Sequence, residues 1–306
     1  MPTKLGYLIP TREHIMRESH DATTLIDAGK RAAALGFDSL WVGDSLTARP
    51  RHDPLTMLAG LATAVPDVDL GTAVLLPALR NPVLLAQQLA TIDQLAQGRL
   101  IVGAGIAADI PPVRAEFKAA GVPFEKRVGR FMEGFRLMRA LWSGEPVDWD
   151  GRWSLQNQSL APLPYQLGGP RLWLGTSTPA GLQRCAKHFD GWMPIGPDLA
   201  TFTERQQTLQ AHRDERPITT ALYATVAIDE DADAADRAIN DYLLEYYGVP
   251  PAAMRGIQAC CGGTLETVIA FLRSYAQAGA DQIILRIVGD HQTTLNAIAS
   301  ARADLD

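Results

Sequence analysis

Short, unbroken apolar runs recur along this chain, each followed by a stretch with helical periodicity, and this pairing occurs eight times. The runs lie at residues 4–10, 39–43, 69–77, 99–105, 171–177, 191–196, 218–229 and 282–288. Leu40-Trp41-Val42 has no polar alternation, the pattern of a strand covered on both faces. Helical patterns follow at 21–35, 53–64, 81–95, 126–142, 179–188, 201–213, 231–247, 264–278 and 290–303. Strict strand-then-helix order predicts a parallel sheet, and eight units in a row favour its closure. The expected fold class is therefore α/β, a (β/α)8 TIM barrel with insertions after strands 4 and 7. The competing architecture, an open doubly wound sheet, usually carries a glycine fingerprint at its first strand–helix turn. Here that turn is Ile9-Pro10-Thr11-Arg12, without glycine.

Local punctuation supports these boundaries. Asp53-Pro54, Asn81-Pro82 and Thr178-Pro179 each place a capping side chain before a proline at the first helical position. Gly36, Gly98 and Gly279 stand where helices should stop. The length of 306 residues suits a single barrel domain over 1–306, with insertions at about 107–125, 145–170 and 230–260. The first insertion is expected to be irregular and the second an elaborated loop.

The net charge of −6 argues against nucleic acid as a partner, because phosphate binding needs a basic face. No apolar run reaches the roughly 18 residues of a membrane span. The N-terminal apolar run stops at Pro10 and reads as a strand rather than a secretion signal, so a cytoplasmic location is expected. Cys185, Cys260 and Cys261 show no zinc spacing and read as ordinary thiols.

In a barrel the chemistry sits at the carboxyl ends of the strands. Those positions hold Gly43-Asp44-Ser45, Leu76 through Asn81, Gly103-Ala104-Gly105, Gly175-Thr176-Ser177-Thr178 and Gly289-Asp290-His291. Gly175-Thr176-Ser177 leads straight into a helix, where unpaired backbone N–H groups and hydroxyls could take an anion. Plain capping by Thr178 explains the same residues equally well. Gly103 and Gly105 would let a ligand approach the backbone, or would simply serve a turn. Asp44 could be a general base or a substrate anchor, or could pair with Arg49 or Arg51. His52 and His188 read as loop and helix-end residues. No metal is expected, because no histidines and carboxylates have ligand spacing. No Gly-x-Ser-x-Gly elbow is present.

The segments FDSLWVGDS, LGTAVLLPALRNPVLLAQQLATIDQLAQGRLIVGAGI, FMEGFRLMRALWSGEPVDWDGRW and GTSTPAGLQRCAKHFDGWMP resemble the luciferase-like flavin oxidoreductases. The resemblance covers nearly the whole chain and is weakest between about 197 and 255. It implies a flavin in the barrel mouth, with its phosphate against Gly175, Thr176 and Ser177. It also implies a non-prolyl cis peptide at Ala73–Val74 behind the ring. Arg127 resembles a family arginine that either approaches the phosphate or pairs with a helix carboxylate.

The family divides by cofactor. Some members use reduced FMN and oxygen; others use the deazaflavin coenzyme F-420 for hydride transfer. The resemblance points first to a monooxygenase acting on a small organic substrate with reduced FMN, and alternatively to a deazaflavin-dependent hydride-transfer enzyme. A third reading, from another class, is a flavin-binding barrel without catalysis. Deazaflavin sugar-phosphate dehydrogenases carry a histidine and a glutamate where this chain has Ser45 and Ala107, which argues against that substrate. Asp44 and Ser45 remain the catalytic candidates. Leu76, Leu79, Ile106 and Trp192 are expected to give the pocket its apolar character, with Arg80 and Arg286 among its polar members. The 107–125 insertion is the candidate lid. A homodimer is the family's usual form, and the monooxygenase reading implies a separate flavin reductase.

Overall fold

A computed structural model describes residues 2–213 and 216–305. Its strands are β1 (Lys4–Leu8), β2 (Ser39–Val42), β3 (Asp69–Leu75), β4 (Leu100–Gly105), β5 (Val147–Asp150), β6 (Ser154–Gln158), β7 (Arg171–Gly175), β8 (Gly191–Trp192), β9 (Thr219–Ile228), β10 (Ala259–Gly263) and β11 (Gln282–Ile287). The main sheet runs β10-β9-β11-β1-β2-β3-β4-β7-β8, and a further β8–β9 pairing closes the ring. The protein is thus a TIM barrel, whose eight ring strands fall at the runs expected from sequence. Every residue of β2, β4 and β11 is buried, as a sheet covered on both faces requires.

Close neighbours divide the chain into two compact units, one of Met1–Ile9, Ala28–Trp41 and Trp173–Asp306, the other of Pro10–Asp27 and Val42–Leu172. In the first unit, Trp41 and Trp173 pack ring to ring, 5.3 Å between centroids. Gly6 makes room for Trp41: a Cβ there would lie 2.5 Å from its indole nitrogen. Ser39 Oγ accepts from both that nitrogen and the Gln282 amide. β9 is ten residues long and has two neighbours on one edge. Thr219 and Thr220 pair with β8, and Ala224 through Ile228 pair with β10.

In the second unit, the helices Pro54–Ala64 and Pro82–Leu95 start as expected. Asp53 accepts from Thr56 N, and Asn81 from Val83 N and Leu84 N. Each such cap stabilises its helix by about 1 kcal/mol. Asp93 is fully buried and accepts from the Gln166 backbone and side-chain amides, at 2.8 and 2.7 Å. This pair anchors the segment that runs from the hairpin toward β7.

Three expectations are corrected. The stretch 107–125 is not irregular: it contains the helix Pro111–Ala119 and a 3-10 turn at Phe124–Lys126. The loop 145–170 contains the antiparallel pair β5–β6. The stretch 230–260, expected to be an insertion, runs into β10, a strand with no ordinary apolar pattern because its sequence is Ala-Cys-Cys-Gly-Gly. A short helix, Thr11–Met16, also follows β1, where the sequence showed only a turn.

Candidate functional site

The second unit carries the most elaborate strand end. β3 and β4 pair in parallel until Thr72↔Val102, then resume at Leu75↔Ala104, so β3 holds one extra residue. That bulge contains the peptide Ala73–Val74, which is cis. Gly105 is matched to it: a Cβ on Gly105 would sit 2.6 Å from Val74 Cγ2. Thr72 Oγ1 donates to the Gly103 carbonyl at 2.8 Å, tying the two strands just below the bulge. The structure therefore brings Ala73, Val74, Gly103 and Gly105 together.

Asp44 follows β2, and its side chain is only 3% exposed. Its carboxylate receives both terminal nitrogens of Arg80, at 2.5 and 3.0 Å, and the Leu76 N–H at 2.8 Å. This bidentate contact comes from Arg80, which lies beyond the bulge and was not among the arginines weighed as partners from sequence. Burial opposes the Arg80 charge, but the hydrogen bond and field of Asp44 outweigh it and hold its pKa above the usual arginine value. Arg130 grips the same turn, donating to the carbonyls of Ala78 at 2.8 Å and Arg80 at 3.4 Å.

Ser45 is also committed. Its hydroxyl donates to Glu116 Oε1 at 2.8 Å and accepts from Arg49 N at 2.8 Å. The same Glu116 oxygen accepts from the backbone N–H groups of Leu46, Thr47 and Ala48. Glu116 is fully buried on the helix Pro111–Ala119, so one carboxylate joins that helix to the loop after β2. Sequence reasoning missed Glu116, because a lone glutamate on a short polar helix reads as solvated.

Of the contacts weighed for Arg127, the pairing with a helix carboxylate is not formed among the described residues. Arg127 donates to the carbonyls of Ala107 and Phe124, both at 3.3 Å, and lies over the Phe124 ring at 3.8 Å. It thereby holds the turn after β4, where Ala107 adopts a left-handed φ of 73°.

In the first unit, Gly175 and Thr176 are half-buried and Ser177 is exposed at the end of β7. The Trp192 indole donates to the Thr176 carbonyl at 2.9 Å. Thr178 caps the helix Pro179–His188 by accepting from Gly181 N at 3.1 Å. The capping role weighed for Thr178 is thus present. It uses one backbone N–H of the helix start, and the Ser177 hydroxyl stays exposed beside it.

Residues 3–282 match the family described as luciferase-like monooxygenase. The chain belongs to the luciferase-like monooxygenase family. It is similar to the phthiodiolone/phenolphthiodiolone dimycocerosates ketoreductase of Mycobacterium tuberculosis, 30% identical over 256 residues; the match covers 72% of this chain and 66% of that protein. The F420-dependent glucose-6-phosphate dehydrogenase of Mycolicibacterium smegmatis is 28% identical over 260 residues, covering 82% of this chain and 71% of that one. A solved F420-dependent secondary alcohol dehydrogenase in complex with an F420-acetone adduct superposes with a TM-score of 0.81 at 20% identity, covering all of both chains, a likeness of fold.

The β3 bulge and the loop after β2 both belong to the second unit. Asp44 and Ser45 are both tied down by partners within the second unit. Among the described residues, no group of three or more metal-ligating side chains is placed to hold an ion, and no helix is long and apolar enough to cross a membrane.

Proposed function

We propose that this protein is an oxidoreductase that transfers a hydride between a deazaflavin coenzyme and a carbon bearing oxygen on a small organic substrate. The observation that carries this reading is the β3 bulge at Ala73–Val74 with Gly105 fitted to it, in a chain whose curated relatives are named as reductases and dehydrogenases. The second reading is FMN-dependent monooxygenation, which the family description favours. A barrel that binds flavin without catalysis is the third.

The residues present fit such a cofactor. Ala73, Val74, Gly103 and Gly105 would support the ring, since the glycine removes the one side chain that would collide with Val74. On the first unit, Gly175, Thr176 and Ser177 offer hydroxyl and backbone donors beside the cap that suit an anion such as a phosphate. Arg127 acts on the site through the Ala107 carbonyl. When bound, the deazaflavin supplies the carbon that accepts or gives the hydride. Asp44 is a positioning residue in this account, because its carboxylate is filled by Arg80 and Leu76. Ser45 holds its proton toward Glu116 and orders the loop 45–48. The helix Pro111–Ala119 serves as an anchored cover that excludes water.

The test is turnover under two regimes. Without oxygen, the protein should bleach oxidised deazaflavin when given a panel of secondary alcohols, or reoxidise the reduced coenzyme with ketones. Oxygen-dependent product formation with reduced FMN alone would overturn hydride transfer in favour of monooxygenation.

A further inference from the structure

Arg286 is the fifth residue of β11 and is only 6% exposed. Alternation along the strand puts Gln282, Ile284 and Arg286 on one face. Gln282 reaches Ser39 on that face, and Ser39 accepts from Trp41, so these residues point into the strand ring's interior layer of the first unit. Arg286 stands four residues further toward the carboxyl end of the strand, the end where barrel enzymes place their ligands.

Its surroundings are unusual for a buried cation. The guanidinium donates to Tyr247 Oη at 2.8 Å and to Tyr246 Oη at 3.4 Å. It lies 4.4 Å from the Tyr246 ring centroid and 4.9 Å from that of Tyr223, with Tyr242 and Tyr247 at 5.8 Å. Among the described residues these neutral phenols are its partners, and it forms no ion pair with a carboxylate. Its Nε–H is buried and has no acceptor. A buried charge is normally paired. Rings and phenols offset part of the cost, but they leave the charge uncompensated and one donor unused. The tyrosines come from β9 and from the helix Ala232–Tyr247, part of the 230–260 insertion, so the insertion builds a cage around one strand-end arginine.

We propose that Arg286 is a substrate-anion anchor, and that the substrate carries a carboxylate or phosphate group that takes the open Nε–H and completes the charge in the tyrosine cage. This rests on the reading that strand carboxyl ends hold the reacting ligands, and it deepens that reading by naming a substrate class. A planar guanidinium suits two-point recognition of such oxygens, which a lysine cannot match.

The experiment is an NMR titration that follows arginine Nε–H resonances in the full chain. The Arg286 signal is assigned by its loss in Arg286→Lys. Inorganic phosphate and propionate are titrated separately, with sodium chloride at matched ionic strength as the control. The proposal expects that signal to shift saturably with at least one anion and not with chloride; whichever acts assigns the group. Arg286→Lys should weaken binding roughly tenfold by calorimetry. If that variant does not fold, Tyr247→Phe serves instead: it frees one guanidinium donor and should keep or tighten binding. No saturable shift with either anion, or an equal shift with chloride, overturns the proposal. Cofactor affinity, measured on the same samples by fluorescence, is independent of this result, so failure here is distinguishable from failure of the oxidoreductase reading.

Discussion

Asp44 and Arg80 hold Leu76 by both sides of its backbone. Asp44 accepts the Leu76 N–H at 2.8 Å, and Arg80, already paired with Asp44, donates to the Leu76 carbonyl at 3.3 Å. Leu76 lies two residues beyond the bulge, so this ion pair fixes the direction in which the chain leaves β3. Removing one member of a buried pair leaves the other charge uncompensated, which costs about 3–5 kcal/mol. Arg80 is 21% exposed, which puts the cost at the lower end of that range. Asp44→Asn and Arg80→Met should each lower stability by about 3 kcal/mol. A double-mutant cycle by urea denaturation should show strong coupling. Additive effects would contradict the arrangement.

Glu116 makes the corresponding junction on the other side of Ser45. Its loss should leave the N–H groups of Leu46, Thr47 and Ala48 without their acceptor and release the helix Pro111–Ala119. Glu116→Ala is expected to lower stability by about 2–4 kcal/mol and to open the 107–125 segment to protease. Limited proteolysis checks this, since unchanged cleavage kinetics would show that the segment is held by packing alone. Cofactor should protect the same segment if it is a cover.

Ala107 bears a left-handed φ of 73°, a conformation that favours glycine. Ala107→Gly should therefore raise stability by about 0.5–1 kcal/mol, while Ala107→Val should lower it by about 1–2 kcal/mol. Thermal denaturation of the two variants decides it, and a lower melting temperature for the glycine variant would count against the conformation.

Glu133 gives a pH prediction. Burial opposes its charge, but hydrogen bonds from the Arg152 backbone and side chain outweigh that and lower its pKa below the ordinary 4.5. A carboxyl with a depressed folded pKa adds stability above its unfolded pKa and loses it as pH falls through the folded value. The stability difference between the protein and Glu133→Gln should thus be constant near neutrality and shrink as pH drops below about 4.5. Denaturant titrations across that range should show the convergence; a constant difference down to strongly acid pH would exclude the linkage.

The barrel was legible because covered strands and capped helices write themselves in local pattern: Leu40-Trp41-Val42, Asp53-Pro54 and Asn81-Pro82 all sit where their chemistry places them. β10 was not, since Ala-Cys-Cys-Gly-Gly has no strand propensity and pairs with β9 because that long strand extends past β8. The site was half legible. The strand-end glycines were legible from their positions, and the cis peptide at Ala73–Val74 followed from the family resemblance. The partners of Asp44 and Ser45 did not, because Arg80 and Glu116 lie 36 and 71 residues away and pair through tertiary structure alone.

The most direct measurement is equilibrium titration of the cofactor-free protein with the deazaflavin coenzyme and with FMN, followed by fluorescence and repeated on Gly105→Val. The account predicts saturable one-to-one binding of the deazaflavin, tighter than FMN, and a loss of at least tenfold in the variant, whose side chain would displace Val74 from the bulge. Tight binding of neither cofactor, or equal affinity in Gly105→Val, would contradict it.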